Sequence, residues 1–303
     1  MRVGITGASG FIGTALVAAL RERGDIVVPF VRPTGATPEG LVVRWDPSRG
    51  LVDEDDLRRA GGFDAVVHLA GAGIADKRWS PERKRVILAS RTESTSLLVS
   101  ALQRMPSGSG FLASGSAIGY YGSRGDEVLD EASSRGNGFL ADVCVQWEQS
   151  AAPFVRDGAQ LALVRTGIVM SRDGGALKKQ LPLFRLGVGG PLSNGQQWLS
   201  PISLRDEVRA ILWILDRQLT GPVNLVAPEP VKNHIFTKLL ANEIHRPAFA
   251  RVPAFALKIA LGTELASQAV LASQRVLPRI LMESGFTFQN TSSEAIISRA
   301  LRS

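Results

Sequence analysis

The chain has 303 residues, with 35 Lys and Arg against 28 Asp and Glu for a formal charge of +7, 45% hydrophobic and 21% charged residues. That length buries a substantial core, as one large α/β domain with an appended lobe or as two domains, and the composition excludes disorder, low complexity and fixed-period repeats. The basic residues are scattered along the chain, which suits solubility and attraction for an anionic ligand; no basic face interleaved with aromatics predicts a nucleic-acid partner.

Met1-Arg2 leads straight into a first predicted strand, Val3–Ile5, which leaves no room for a signal peptide. The strand runs into Gly7-x-x-Gly10-x-x-Gly13 and an amphipathic helix from about Phe11 to Arg23. In that context Gly7 permits the tight turn, Gly10 lets backbone N–H groups approach phosphate, and Gly13 lets the helix pack close to the sheet. Gly7, Ser9, Gly10, Phe11, Ile12 and Gly13 are therefore the candidate pyrophosphate-binding segment of a dinucleotide, helped by the positive end of the helix dipole. Glycines at this spacing also occur in ordinary strand-to-helix turns.

A second strand, Ile26–Val31, ends in Arg32. An acidic residue at this place bonds the adenosine ribose hydroxyls; an arginine instead pairs with a 2′-phosphate, so Val31-Arg32 predicts NADP(H) over NAD. The competing reading is a solvated surface arginine. After the third strand, Val42–Trp45, Asp46 either accepts from the adenine amino group or forms the turn before Pro47. The fourth strand, Ala65–Leu69, ends in His68-Leu69-Ala70-Gly71, where small residues would let Leu69, Ala70 and Gly71 lie against the cofactor ribose. His68, in an apolar strand, reads as a structural histidine, and three unpaired histidines predict no metal site.

A helix across Pro81–Leu102, a strand Phe111–Ala113, a helix from about Gly138 to Arg156 and a strand Leu161–Val164 complete the alternation of a doubly wound parallel Rossmann sheet. Cys144 is the only cysteine, so no intrachain disulfide forms and a reducing compartment fits. The expected division is a Rossmann domain over residues 1–165, with later segments returning to it, and a smaller mixed substrate lobe over 166–303. That lobe opens with a glycine-rich loop through Gly187, Gly189, Gly190 and Gly195 and a helix from Leu204 to Leu219, and its tail from Val252 reads as helical. No apolar run approaches the roughly 20 residues that span a bilayer, so the sequence predicts a cytoplasmic protein with no membrane partner.

Motifs along the whole chain resemble one family. They are Thr6-Gly7-Ala8-Ser9-Gly10-Phe11-Ile12-Gly13, Arg78-Trp79, Ser90-Arg91 with Thr95, Gly119-Tyr120-Tyr121-Gly122, Trp147-Glu148, Arg165-Thr166-Gly167, Phe184-Arg185-Leu186-Gly187 and Ser273-Gln274-Arg275-Val276-Leu277-Pro278 before Gly285-Phe286. The set resembles the extended, epimerase-like branch of the short-chain dehydrogenase/reductases, in the epimerase family labelled as SulA-like cell-division inhibitors, with a C-terminal domain of its own at about 250–298. The resemblance implies an NADP-type cofactor contacted near Val31-Arg32, Leu69-Ala70, Arg91 and Val169. It admits a homodimer and leaves the small-molecule substrate unnamed.

The superfamily's Tyr-x-x-x-Lys pair is missing. The only tyrosines are Tyr120 and Tyr121, and no lysine stands between Lys84 and Lys178. Ser114 and Ser116 lie where a substrate-polarising hydroxyl is expected, Ser116 being the preferred candidate, against a turn or capping role. Tyr121 is the candidate displaced acid/base, against a packed tyrosine. Glu148 beside Trp147 reads as a packed ion pair, and Gln196, Gln197, Trp198 and Asp206 as candidate pocket residues. Two functions stay open: an NADP(H)-dependent oxidoreductase or epimerase with a non-standard acid/base, or an NADP(H)-binding regulatory or scaffold protein without turnover.

Overall fold

The computed structural model describes residues 1–33, 40–105, 109–156 and 158–302. Among them the first unit is built from β1 (Arg2–Thr6), α1 (Phe11–Glu22), β2 (Ile26–Val31), β3 (Val43–Asp46), β4 (Leu51–Val52), α2 (Glu54–Ala60), β5 (Ala65–His68), α3 (Pro81–Arg104) and β6 (Phe111–Ala117). There follow β7 (Val128–Leu129), α4 (Phe139–Ala151), β8 (Gln160–Thr166), β9 (Ile168–Ser171), α5 (Gly175–Arg185), β10 (Trp198–Leu199), β11 (Pro201–Ser203), α6 (Leu204–Arg217) and β12 (Gly221–Leu225). The chain ends with β13 (Val231–Lys232), α7 (Asn233–Glu243), α8 (Ala254–Leu261), α9 (Thr263–Leu265), β14 (Arg275–Val276), α10 (Arg279–Glu283) and α11 (Ser293–Arg302).

The main sheet has the order β12-β8-β6-β5-β1-β2-β3-β4. Its pairs are parallel except β3 with β4. Because β1 leads to β2 on one side while β5 leads to β6 on the other, the strand order reverses between β1 and β5. A crevice opens there, outside the carboxyl ends of both strands. One sheet face packs Val3, Ile5, Leu16, Leu20, Ile211 and Ile214 under α1 and α6; the other packs Val28, Phe30, Leu98, Leu102 and Leu112 under α3. Burial of both faces explains why these strands read as continuous apolar runs.

Two boundaries differ from the sequence reading by four residues or more. The strand predicted as Phe111–Ala113 continues to Ala117, because its register with β8 holds through Ser116 opposite Arg165 and Ala117 opposite Thr166. Ser114 and Ser116 are therefore inside the strand. The helix predicted to reach Arg156 stops at Ala151, and a tighter turn over 152–154 contains Pro153, whose ring cannot continue the α-helical ladder. Two strands of the sheet carried too little local pattern to be predicted: the two-residue β4, and β12, whose run Gly-Pro-Val-Asn-Leu breaks the apolar pattern.

The sequence from Gly167 onward divides between two places. α6 and β12 return to the first unit, while β9 with β11, β10 with β13, and α5, α7 and α11 form the lobe. The lobe core is Met170, Leu177, Leu181, Phe184, Phe236, Leu240, Ile296 and Ile297.

Candidate cofactor crevice and its neighbouring polar core

The glycine turn is set by close contacts that a side chain would prevent. Gly7 has φ +68°, and a Cβ placed on it would stand 2.9 Å from the carbonyl group of Leu69, so the turn lies directly on the β5 exit. A Cβ on Gly13 would overlap the Gly7 carbonyl oxygen. The Gly10 amide is spent on the Gly7 carbonyl at 2.8 Å, and the first helical bond runs from Thr14 N–H to Gly10 O at 2.9 Å. The amides of Phe11, Ile12 and Gly13 thus precede the ladder of α1. Gly10 at the N-cap offers no side-chain bond to them, and no acidic residue stands in the first turn, whereas Asp53, Ser80 and Ser203 cap α2, α3 and α6. Ser9 is exposed, and the Phe11 ring lies on Gly174 and Gly175, where a Cβ at Gly174 would overlap it.

Val31 is half-buried at the end of β2 and Arg32 is exposed beside it, with no acidic partner among the described residues. Its neighbour in the sheet edge, Arg44, is instead held by Asp56 at 2.6 Å and Asp53 at 3.1 Å. Asp46 has the turn role: its Oδ1 accepts from Ser48 N–H at 3.1 Å and Ser48 Oγ at 2.6 Å, and these bonds lower its pKa. Val169 lies in the main core, 7% exposed.

Across the crevice, a buried network fixes Leu69, Ala70 and Arg91 together. The Leu69 and Ala70 amides donate to Thr6 Oγ1 at 3.1 and 3.2 Å, so the Thr6 hydroxyl donates its proton to His68 Nδ1 at 2.6 Å. The other ring nitrogen then carries the hydrogen and donates to Thr95 Oγ1 at 2.9 Å, which donates to the Arg91 carbonyl at 2.6 Å. Burial pushes the His68 pKa down to about 3, so the ring is neutral. His68 has the structural role expected from sequence.

Arg91 leans over this loop. Its Nη1 donates to Ala72 O at 3.0 Å and Ile87 O at 2.9 Å, its guanidinium carbon lies 5.0 Å from the Trp147 ring centroid, and a Cβ on Gly71 would stand 3.4 Å from it. Among the described residues no carboxylate faces it, and desolvation lowers its pKa. Such a cation, half-buried and paired only with carbonyls and an indole, favours an anionic ligand.

The candidate chemical groups beyond β6 are differently placed. Ser116 Oγ donates to Glu148 Oε1 at 2.7 Å, and Glu148 is bound by Arg165 through Nε at 2.8 Å and Nη2 at 2.9 Å. The hydroxyl proton is thereby bound to a carboxylate, and polarising a substrate would require Ser116 to release that bond. Tyr121 is wholly buried; its hydroxyl accepts from Arg165 Nη1 at 3.0 Å and donates to Asn224 Oδ1 at 2.8 Å. Desolvation raises its pKa to about 12, and the phenol packs in the core with both hydrogen-bond roles of its hydroxyl filled. The Arg165 guanidinium stacks on Tyr120 at 3.6 Å, its pKa raised by Glu148 and Tyr121 in spite of burial. Glu148 is the ion-pair residue the sequence suggested, and only the fold supplies its partner.

Two buried polar atoms beside them, Oγ of Ser114, the other candidate hydroxyl, and Nε1 of Trp147, have no hydrogen-bond partner among the described residues; Gly115 makes room for the Trp147 ring, since a Cβ there would stand 2.8 Å from it. Asp206, expected to line a pocket, is fully buried and accepts from the Gln289 and Asn290 amides at 3.0 and 2.8 Å, tying the tail to α6. Trp198 donates to Asp126 at 2.6 Å and lies between Lys232 and Arg275, while Gln197 donates to Leu192 O at 3.3 Å. Among the described residues no cluster of three or more His, Cys, Asp or Glu could hold a metal, and no helix is long and apolar enough to cross a membrane.

Comparison with known proteins agrees with this architecture. Residues 3–137 match the NAD dependent epimerase/dehydratase family, and residues 252–298 match a domain of unknown function, DUF1731. Epimerase family protein Mb2239 of Mycobacterium bovis is 42% identical over 296 residues, covering 97% of this chain and 96% of its own length. The chloroplastic SDR39U1 homolog of Arabidopsis thaliana is 38% identical over 257 residues, covering 84% of this chain and 74% of its own. Among solved structures, human epimerase family protein SDR39U1 (isoform 2), determined with NADPH, superposes with TM-score 0.88 at 29% identity over 100% of this chain and 99% of that one. A nucleoside-diphosphate sugar epimerase from Corynebacterium glutamicum gives TM-score 0.78 at 34% identity over 99% of this chain and 58% of that one. On the strength of the Mycobacterium bovis relative, matched along nearly its whole length, and of the two matched segments, the chain belongs to the NAD dependent epimerase/dehydratase family, with DUF1731 as its C-terminal domain.

Proposed function

We propose that this protein binds NADP(H) in the Gly7–Gly13 crevice and acts as an oxidoreductase or epimerase on a small metabolite, without a Tyr-Lys acid/base pair. The observation that carries the reading is the cradle itself. Uncapped first-turn amides of α1 and the glycine turn pressed on Leu69 leave backbone donors where only a slim, anionic ligand fits. Arg32 would pair with the 2′-phosphate and Arg91 would meet the cofactor from the α3 side, while Leu69-Ala70-Gly71 would flank its ribose. The NADPH present in the human relative supports the choice of nucleotide. When bound, the nicotinamide supplies a hydride donor or acceptor. The chain's own contribution is to hold and orient, since the protons of Ser116 and Tyr121 are committed to Glu148 and Asn224.

That commitment supports a second reading, an NADP(H)-binding regulatory protein without turnover. Fluorescence titration with NADPH and NADH tests the common part: NADPH-selective binding is expected, and binding of neither would overturn both readings. Exchange of labelled hydride from NADPH, assayed over a panel of carbonyl and hydroxyl metabolites, separates them. Exchange supports the enzyme; tight binding with no exchange supports the regulator.

A further inference from the structure

We propose that the lobe docks on the surface of an anionic lipid bilayer through one face assembled from α5, the 186–191 loop, the 246–252 segment and α8. Six large apolar side chains are exposed there: Leu183 at 53%, Leu186 at 76%, Val188 at 56%, Phe249 at 83%, Phe255 at 67% and Ile259 at 69%. None of the residues of α8, Ala-Phe-Ala-Leu-Lys-Ile-Ala-Leu, is buried. An isolated exposed Leu or Phe needs no explanation, but apolar residues gathered from two segments onto one face mark an interaction site.

The fold itself joins the two segments. Val252 N–H donates to Pro191 O at 2.9 Å and Ser193 N–H donates to Val252 O at 2.8 Å. Arg246 Nε donates to Arg185 O at 3.2 Å, Gly187 packs on Pro247, and Gly190 lies so close to Ala250 that a Cβ would overlap its carbonyl. α8 leaves this junction, and its far end is held at Gly262 against Arg78 and by the Glu264–Lys84 ion pair. The helix is thus fixed at both ends with Phe255 and Ile259 still exposed.

Charge selects the occupant. No Asp or Glu occurs between Gly174 and Arg205, nor between Ile244 and Thr263. The exposed Lys178, Arg185, Arg246, Arg251 and Lys258 have no ion-pair partner among the described residues, whereas Lys179 beside them pairs with Asp76 at 3.6 Å. A second copy of the chain would bring the same cations together and be repelled. A surface of large apolar side chains interspersed with unpaired Lys and Arg fits the headgroup and acyl boundary of an anionic leaflet, where each cation strengthens binding about fivefold and the apolar groups insert. The sequence expectation of no membrane partner rested on the lack of a spanning segment, a separate property from surface docking.

The test is flotation of the full-length protein, without nucleotide, with vesicles of phosphatidylcholine alone or with 30% phosphatidylglycerol. Binding to the anionic vesicles only, lost at about 0.5 M salt, is expected. The exposed pair F249S/F255S and the pair R251E/K258E should each lower binding at least tenfold, while R49E, at the opposite sheet edge, leaves it unchanged. Circular dichroism confirms that each variant is folded. Absence of anionic-vesicle binding by the unaltered protein overturns the proposal, as does binding insensitive to both pairs. Light scattering that shows a dimer dissociated by F249S/F255S, with no vesicle binding, also overturns it and assigns the face to a subunit interface. Because no step uses the cofactor, failure here leaves the nucleotide reading intact.

Discussion

Glu207 gives the protein a pH dependence that one substitution should remove. It stands in the first turn of α6, fully buried, with Thr166 Oγ1 donating to its Oε1 at 2.8 Å and its Oε2 unpartnered. Burial pushes its pKa from the ordinary 4.5 up to about 8. Between those values the folded chain keeps a proton that the unfolded chain has lost, so folding takes up a proton and stability falls as pH rises. The slope is about 1.4 kcal/mol per pH unit, or about 4 to 5 kcal/mol over the whole window.

His68 works in the opposite sense. Its pKa is pushed from 6.5 down to about 3, so the unfolded chain binds the extra proton and stability falls as pH drops through that range. The two effects cancel between pH 4.5 and 6.5, leaving the decline from 6.5 to 8 to Glu207. Urea unfolding at pH 5.5, 6.5, 7.5 and 8.5 should show that decline in the unaltered protein and not in E207Q. The Gln amide also places an unpaired donor where Oε2 now lies, costing about 1 to 3 kcal/mol, so E207Q should lie near or below the unaltered protein at pH 5.5 and be the more stable of the two by about 2 to 4 kcal/mol above pH 8. An equal decline in both proteins would refute the reasoning.

Further outcomes follow from the crevice and its polar neighbours. R32A should weaken NADPH binding by about 10- to 100-fold, the worth of a charge-assisted contact, and leave NADH binding unchanged; an equal loss for both nucleotides would remove the 2′-phosphate assignment. G13A forces α1 away from the Gly7 carbonyl and should cost about 1 to 3 kcal/mol in stability together with nucleotide binding, read by thermal unfolding with and without NADPH. Y121F leaves the buried Asn224 Oδ1 without its donor and should cost about 1 to 3 kcal/mol with no effect on nucleotide affinity. A stable Y121F protein that had lost a turnover present in the unaltered chain would return the phenol to the reaction.

What the sequence by itself determined was local. The run from Arg2 to Gly13 carries its own geometry, because a strand, a residue with φ +68° and a helix that must touch the turn each demand a residue type at a set spacing. The place of Arg32 was legible for the same reason, one residue past the second strand. His68 and Glu148 were read correctly as packed groups, one from its apolar strand and one from its tryptophan neighbour. Their partners Thr6, Thr95 and Arg165 were not legible as such, since each lies many residues away and meets them only through strand order and helix packing.

Only the tertiary structure decided the partners of the buried polar groups. The sequence does not say where the protons of Ser116 and Tyr121 go; the register of β6 on β8 and the return of β12 to the sheet edge bring Arg165, Glu148 and Asn224 to them. Asp206 likewise passed from pocket residue to anchor when the tail folded back on α6. The apolar and basic face has no signature in either segment alone, because hydrogen bonds between Pro191–Ser193 and Val252 make one surface from chain about 60 residues apart. Local rules fix the cradle within a dozen residues, whereas a buried proton's partner or a surface's neighbours are properties of distance in space.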